Sequence, residues 1–259
     1  MLRCIKRLSP ARIIALGFAL VIFIGSILLI LPCSVQEGVT VRYIDSLYTS
    51  TSAVCVTGLI AIDAGNTFTP LGQFFLGMLI QIGGLGVTAM GTGIIIAMRK
   101  KLNFKGRTLV QEAMNLDSRE GIVKFVKSIF ITTGIFELTG AVLSFIVFVK
   151  DYPPLKAAGI SLFHSVAAFN NSGFDILGDF QNLIPYRDNV LLNVVTCGLI
   201  VFCGIGFLVI RELWMKKFRW RKLSMHAKIV ISMSIVLIVA GGVLIKATED
   251  VTWMGAFFH

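Results

Sequence analysis

The chain has 259 residues, 56% of them hydrophobic, with 24 Lys and Arg against 14 Asp and Glu, a formal net charge of +10 and a mean hydropathy of +0.84. Charged residues make up only 15%, where soluble domains carry about 25%, so a water-soluble domain is excluded and the chain belongs in a bilayer. Its five cysteines lack CxxC or zinc-type spacing, and no Ser-His-Asp, paired-carboxylate or metal-binding constellation occurs, so neither an enzyme nor a covalent cofactor is expected.

A membrane helix needs roughly 20 predominantly apolar residues. A short basic tail (residues 3–12) leads into the first such run, 13–31. That run is longer than the usual signal-peptide core of about 7 to 15 residues and lacks a clear small-residue cleavage site, so it reads as a retained helix. The segment 47–58, LYTSTSAVCVTG, is too short to cross. A second span follows at 70–98 and contains QIGGLG at 81–86. This glycine cluster lies mid-span, follows no strand and lacks GxGxxG spacing, so it is read as small residues that let helices approach.

After a basic loop comes the third span, 122–149, with Glu137 inside it. A carboxylate at that depth is costly and functional by default; Glu137 either touches a cation path or bonds to a neighbouring helix. The segment 162–173, LFHSVAAFNNSG, is again too short to span, and its His164 is read as a packing or hydrogen-bonding residue. Spans at 190–213 and 227–245 complete the pattern.

The two short segments are copies. Leu47 and Leu162, Ser50 and Ser165, Ala53 and Ala168, and Gly58 and Gly173 coincide at a fixed offset, and each final glycine precedes an apolar residue. A short semi-apolar helix ending at a glycine turn inside a membrane protein describes a re-entrant pore loop, because irregular backbone at membrane depth survives only where it lines a cavity. The Val, Thr and Ile content of residues 53–62 would also suit a buried strand, but a lone strand would leave its backbone unpaired in lipid.

The expected architecture is an all-α membrane protein of helix, pore loop, helix units. Repeat 1 occupies 1–98, a cytoplasmic basic loop 99–124, repeat 2 125–213, a second basic loop 214–226, and an incomplete repeat 3 227–259. A cation leaves water only where oxygens replace its hydration shell, as rings of backbone carbonyls do in potassium-selective filters. The candidate carbonyl strips are Cys55, Val56, Thr57 and Gly58, and Asn170, Asn171, Ser172 and Gly173, with the hydroxyls of Thr57 and Ser172 as further oxygens. They would hold K⁺, with the negative ends of the short helices pointing at the dehydrated ion.

Nineteen of the 24 basic residues fall in clusters at 3–12, 99–107, 119–127 and 211–228, all on one side of the spans. Positive-inside topology makes that side cytoplasmic and puts the N-terminus there. The opposite side carries five basic against nine acidic residues and would concentrate cations. Because the basic residues sit in short loops between spans without aromatic interleaving, nucleic acid is not an expected partner.

Four stretches, SAVCVTGL (52–59), QIGGLG (81–86), FHSVAAFNNSGFD (163–175) and RELW with LSMHAK (211–214, 223–228), resemble the KtrB family of bacterial potassium-translocating subunits, within the Trk/Ktr/HKT superfamily of K⁺ transporters, along essentially the whole chain. The resemblance implies four helix, pore loop, helix repeats around a pseudo-fourfold pore, a homodimer in the bacterial cytoplasmic membrane, a ring of cytoplasmic nucleotide-binding KtrA-like regulatory subunits, and K⁺ uptake that is often Na⁺-dependent. It makes Gly58 and Gly173 the filter glycines and loops 99–107 and 211–228 the docking sites for regulatory subunits. Residues 256–259 correspond to 161–164, so the chain stops inside its third unit; the expectation is a piece of a longer protein that inserts but does not conduct by itself. The alternatives are Na⁺-selective or poorly selective cation uptake, or a non-conducting membrane scaffold.

Overall fold

A computed structural model describes residues 9–97, 104–113, 121–249 and 255. Most of the basic tail at 3–12, part of the loop at 99–107 and the tail at 256–259 lie outside the described residues. Among the described residues the chain is helical, with no strand and a single isolated bridge between Val35 and Phe68.

Helix α1 (Pro10–Ile30) is followed by α2 (Tyr43–Cys55), the short α3 (Ala64–Thr67), α4 (Pro70–Leu85), α5 (Val87–Ala97) and α6 (Phe104–Ala113). Then come α7 (Ile122–Phe148), α8 (Pro154–Phe169), α9 (Val190–Ile205), α10 (Phe207–Met215) and α11 (Met225–Thr248). Helix starts follow capping chemistry: the Thr69 hydroxyl accepts from Gly72 N–H at 3.2 Å, Asn189 from Leu192 N–H at 3.1 Å, and Ser224 from Ala227 N–H at 3.2 Å, each satisfying an amide with no helical partner. Helices α1, α7 and α11 are long and apolar enough to cross a membrane, and α4 is a shorter apolar helix.

Two expected spans are not continuous. The run 70–98 divides at Gly86 and the run 190–213 at Gly206, where α9 and α10 meet at 95°. Both breaks have the same form. Gly86 (φ 83°, ψ 135°) donates to Gly83 O at 3.0 Å, and Gly206 (φ 89°, ψ 145°) donates to Cys203 O at 3.0 Å. A side chain rarely adopts this backbone region, so glycine permits the bend. The 99–124 stretch, expected as loop, contains α6, whose Val110 is wholly buried beside Ile122 and Val126 of α7.

The largest core joins both halves of the chain: Leu29, Val54, Leu76 and Ile80 pack with Phe148, Ile160 and Phe163. Away from it, Ile131, Ile135, Leu138, Val142 and Ile146 form an exposed apolar face on α7, as a lipid-facing helix requires.

Candidate functional site

The two short helices enter the protein and stop. Ser46 Oγ donates to Ser26 O at 2.6 Å and Ser50 Oγ to Ile22 O at 2.8 Å, so α2 runs antiparallel to α1 and reaches its middle. The chain then returns: Thr69 N–H bonds Ser34 O at 3.0 Å and Gln36 N–H bonds Thr67 O at 2.9 Å, beside the end of α1. Helix α8 does the same on α7. Ser165 Oγ donates to Glu137 O at 2.7 Å near the middle of α7, and the chain is back beside the end of α7 where Tyr186 donates to Asp151 at 2.9 Å.

The serine bonds occupy matched positions, Ser50 on Ile22 and Ser165 on Glu137. Three residues further along α1 and α7 stand Gly25 and Gly140. A Cβ on Gly25 would lie 2.5 Å from Ser50 Oγ and 2.6 Å from Leu79, and one on Gly140 would lie 2.4 Å from Ser165 Oγ and 2.7 Å from Leu199. The same three-helix node is therefore built twice.

The turns that close α2 and α8 also agree. Val56 and Asn171 both take left-handed backbone with φ 55°. Val56 N–H bonds Ala53 O at 3.3 Å and Thr57 N–H bonds Ser52 O at 3.0 Å; Asn171 N–H bonds Ala168 O at 3.1 Å and Ser172 N–H bonds Ala167 O at 2.9 Å. This is the paired capping pattern that ends a helix in a left-handed residue. Gly58 and Gly173 follow at φ 72° and 73°. Beyond the turns, the carbonyls of Val56, Thr57, Gly58, Asn171, Ser172 and Gly173 accept no hydrogen bond among the described residues.

The two strips meet. A Cβ on Gly58 would lie 3.0 Å from Ser172 O, and one on Gly173 would lie 3.0 Å from the Gly58 Cα. The residues before the glycines differ in their surroundings. Cys55 and Thr57 are exposed, and the Thr57 hydroxyl donates to Ser52 Oγ at 2.9 Å. Ser172 is buried, with its hydroxyl 3.4 Å from Phe174 N–H.

Asn170 turns its side chain away from the strip. Its Nδ2 donates to Gln81 Oε1 at 2.9 Å, Glu137 Oε1 at 3.3 Å and Val166 O at 2.8 Å, tying the second turn to α4 and α7. Of the two readings of Glu137, the bond to a neighbouring helix is the one the geometry displays. Gln81 was missed as a partner because the sequence separates it from Asn170 by 89 positions. The glycines beside it do make close contacts: a Cβ on Gly83 would lie 2.3 Å from Val54 O, and one on Gly84 would lie 2.0 Å from Asn170 Oδ1. His164 has its Nε2 3.0 Å from Thr196 Oγ1 and meets Phe148 edge-on.

At the rim of the strips the outer loops interlock, with Asn66 Nδ2 donating to Asp179 at 2.9 Å and Gly65 pressed against Gly178. Asp175 stands in the same rim. Burial raises its carboxyl above the usual range, the Leu177 N–H bond opposes this, and the charge of Asp63 adds to the rise. At the other end of the molecule, Glu212 of the RELW stretch accepts from Ser224 N–H and Ser224 Oγ at 2.6 Å each and pairs with Lys216, which holds the start of α11 against α10.

Residues 12–250 match the TrkH family, described as cation transport proteins. The chain is 37% identical to the potassium/sodium uptake protein NtpJ of Enterococcus hirae over 94% of its own length and 53% of that protein. It is 38% identical to the Ktr system potassium uptake protein B of Bacillus subtilis over 89% of its length and 51% of that protein. With the Ktr system potassium uptake protein B of Vibrio alginolyticus it shares 31% identity over 96% of its length and 56% of that protein. The chain thus spans about half the length of these relatives. Duplicated helix-ending turns, apolar helices and a match along nearly the whole sequence agree, and the chain belongs to the TrkH family of membrane cation transporters.

Proposed function

We propose that this chain supplies two walls of a K⁺ uptake pathway, with residues 55–58 and 170–173 as two of the backbone-carbonyl strips of its filter. The observation that carries the reading is the pair of identically built turns whose carbonyls are unbonded and which meet at Gly58 and Gly173. A dehydrated K⁺ needs oxygens on several sides, and these carbonyls are already free of competing donors. The C-terminal ends of α2 and α8 both point at the strips, adding negative helix-end potential where a cation loses water.

In this reading residues 1–98 and 125–213 are two repeats of a pseudo-fourfold pore, joined by basic loops at 99–124 and 214–226, and residues 227–259 begin a third. The basic side faces the cytoplasm, where KtrA-like nucleotide-binding subunits dock on a homodimer. The name of the Enterococcus relative joins sodium to potassium, so Na⁺ is proposed as a second cation that stimulates or accompanies uptake. The acidic rim with Asp63, Asp175 and Asp179 enriches cations before entry.

The test is ⁸⁶Rb⁺ uptake into proteoliposomes holding the whole gene product, with K⁺ and Na⁺ as competitors. Competition by K⁺ at least tenfold stronger than by Na⁺ is expected. Equal competition by both would leave a poorly selective cation pathway, and no flux at all would leave a membrane scaffold; either result refutes the K⁺ filter.

A further inference from the structure

At the end of the molecule that carries the basic loops, α7 and α10 leave a groove of about 380 Å³ between them. Lys124 and Lys127 on α7 and Arg211 on α10 line it. The described ion pairs are Arg42 with Asp45, Arg187 with Asp188 and Lys216 with Glu212, so no described carboxylate lies within 4 Å of these three cations. The Arg211 guanidinium lies 5.3 Å from the centre of the Phe125 ring, a cation–π contact that orients it without neutralising it. Three positive charges thus converge on one groove with no acidic partner among the described residues.

Apart from the hydroxyls of Ser128 and Thr132, the rest of the groove is apolar and leads toward the lipid-facing stripe of α7. Ile131 and Ile135 line its wall, and both are 52% exposed. Leu138, Val142 and Ile146 extend the same face at steps of three and four residues, which on a helix form one stripe. From Ile131 to Ile146 the stripe is about 22 Å long at 1.5 Å per residue, more than one leaflet's share of a hydrocarbon core of about 30 Å. Trp214, which also lines the groove and is 69% exposed, lies close in sequence to exposed Phe218 and Trp220. Aromatic residues of this kind sit at headgroup depth. The groove therefore opens neither into water alone nor into hydrocarbon alone.

We propose that the groove between α7 and α10 binds an anionic membrane phospholipid, with its phosphate and headgroup held by Lys124, Lys127 and Arg211 and an acyl chain laid along the Ile131 to Ile146 stripe. Basic pockets between membrane helices on the cytoplasmic side recognise such headgroups, and an anion without a chain would leave the apolar stripe unused. The site depends on membrane insertion and on the side of the basic loops, not on which cation the pathway carries.

The experiment places the whole gene product in nanodiscs containing brominated phosphatidylglycerol or brominated phosphatidylcholine at equal mole fraction and measures quenching of Trp214, isolated by subtracting the signal of Trp214→Phe. Stronger quenching by phosphatidylglycerol is expected. Its apparent affinity should fall about fivefold for each of Lys124→Gln and Lys127→Gln, and inorganic phosphate should not displace it. Both lysines are exposed, so these variants keep the fold; Arg211→Gln adds a third step. Equal quenching by the two lipids, no quenching by either because protein fills the groove, preference unchanged in Lys124→Gln and Lys127→Gln, or displacement by phosphate would each overturn the proposal. Because ion selectivity plays no part in the readout, its failure is distinguishable from failure of the K⁺ pathway.

Discussion

Replacing Gly58 or Gly173 by alanine separates backbone strain from disruption of the paired strips, because Gly38 supplies a matched control. Gly38, Gly58 and Gly173 all have positive φ, at 82°, 72° and 73°. A Cβ in left-handed backbone costs about 1–2 kcal/mol, so each variant should lose a similar amount of stability. The surroundings differ. Nothing lies within 4 Å of a Cβ built on Gly38, whereas the Cβ of Gly58→Ala falls 3.0 Å from Ser172 O and 3.3 Å from the Gly173 Cα. Those are backbone atoms that no rotamer change can move, so the strips must separate by a few tenths of an ångström.

In a carbonyl filter that displacement weakens contact with the cation in both strips at once. Loss of at least tenfold in K⁺ over Na⁺ discrimination, equivalent to about 1.4 kcal/mol, is the expected result for Gly58→Ala and Gly173→Ala, with Gly38→Ala unchanged. Thermal unfolding in detergent reports the shared strain, and ⁸⁶Rb⁺ uptake with Na⁺ competition reports selectivity. Unchanged selectivity in both filter variants, or equal loss in Gly38→Ala, would refute the reasoning.

Three further outcomes follow from the same geometry. Ser50→Ala and Ser165→Ala each remove one buried hydroxyl bond to an outer-helix carbonyl, so each should cost about 1 kcal/mol and the double variant should sum them, measured by thermal unfolding; marked non-additivity would mean that the two nodes are not independent. Glu137→Gln keeps an oxygen for Asn170 Nδ2 while Glu137→Leu removes it, so uptake should survive the first substitution and drop severalfold in the second; equal loss in both would show that the carboxylate charge itself is used. With the basic side cytoplasmic, a cysteine at Lys217 should be shielded from impermeant thiol reagent in intact cells and one at Asp179 should react; labelling at Lys217 would invert the orientation.

Hydropathy located α1, α7 and α11 to within a few residues because lipid contact demands an apolar surface along most of a spanning helix. The turns at Val56 to Gly58 and Asn171 to Gly173 were legible for another reason: the copies preserve the serine, alanine and glycine positions that the capping pattern and helix node require. The breaks at Gly86 and Gly206 were not read. Hydropathy is continuous through them, and a glycine that bends a helix looks in sequence like one that packs, as Gly83 and Gly84 do in the same cluster. Comparing QIGGLG with the FCGIGF around Gly206 would have been the available signal. The contacts of Asn170 with Gln81 and Glu137 depend on tertiary placement across three helices, which no local pattern encodes. Helix α6 was hidden by its basic neighbourhood, although Val110 supplies one buried apolar anchor.

The bond between Asn170 and Gln81 spans 89 positions, and this sets an order of events during synthesis. At about 5–20 residues per second, a ribosome needs roughly 4–18 s to make the second partner after the first. During that interval α1, α2 and α4 can close their own node, since Ser50, Ile22, Gly25 and Leu79 all precede the wait. Gln81 and the open side of the first turn have no second strip to meet. In the proposed pore arrangement the newborn half therefore carries polar backbone at membrane depth that must be sheltered by the insertion machinery or by water until α8 arrives, and a pause in translation between α5 and α8 would lengthen the period in which the protein is open to degradation.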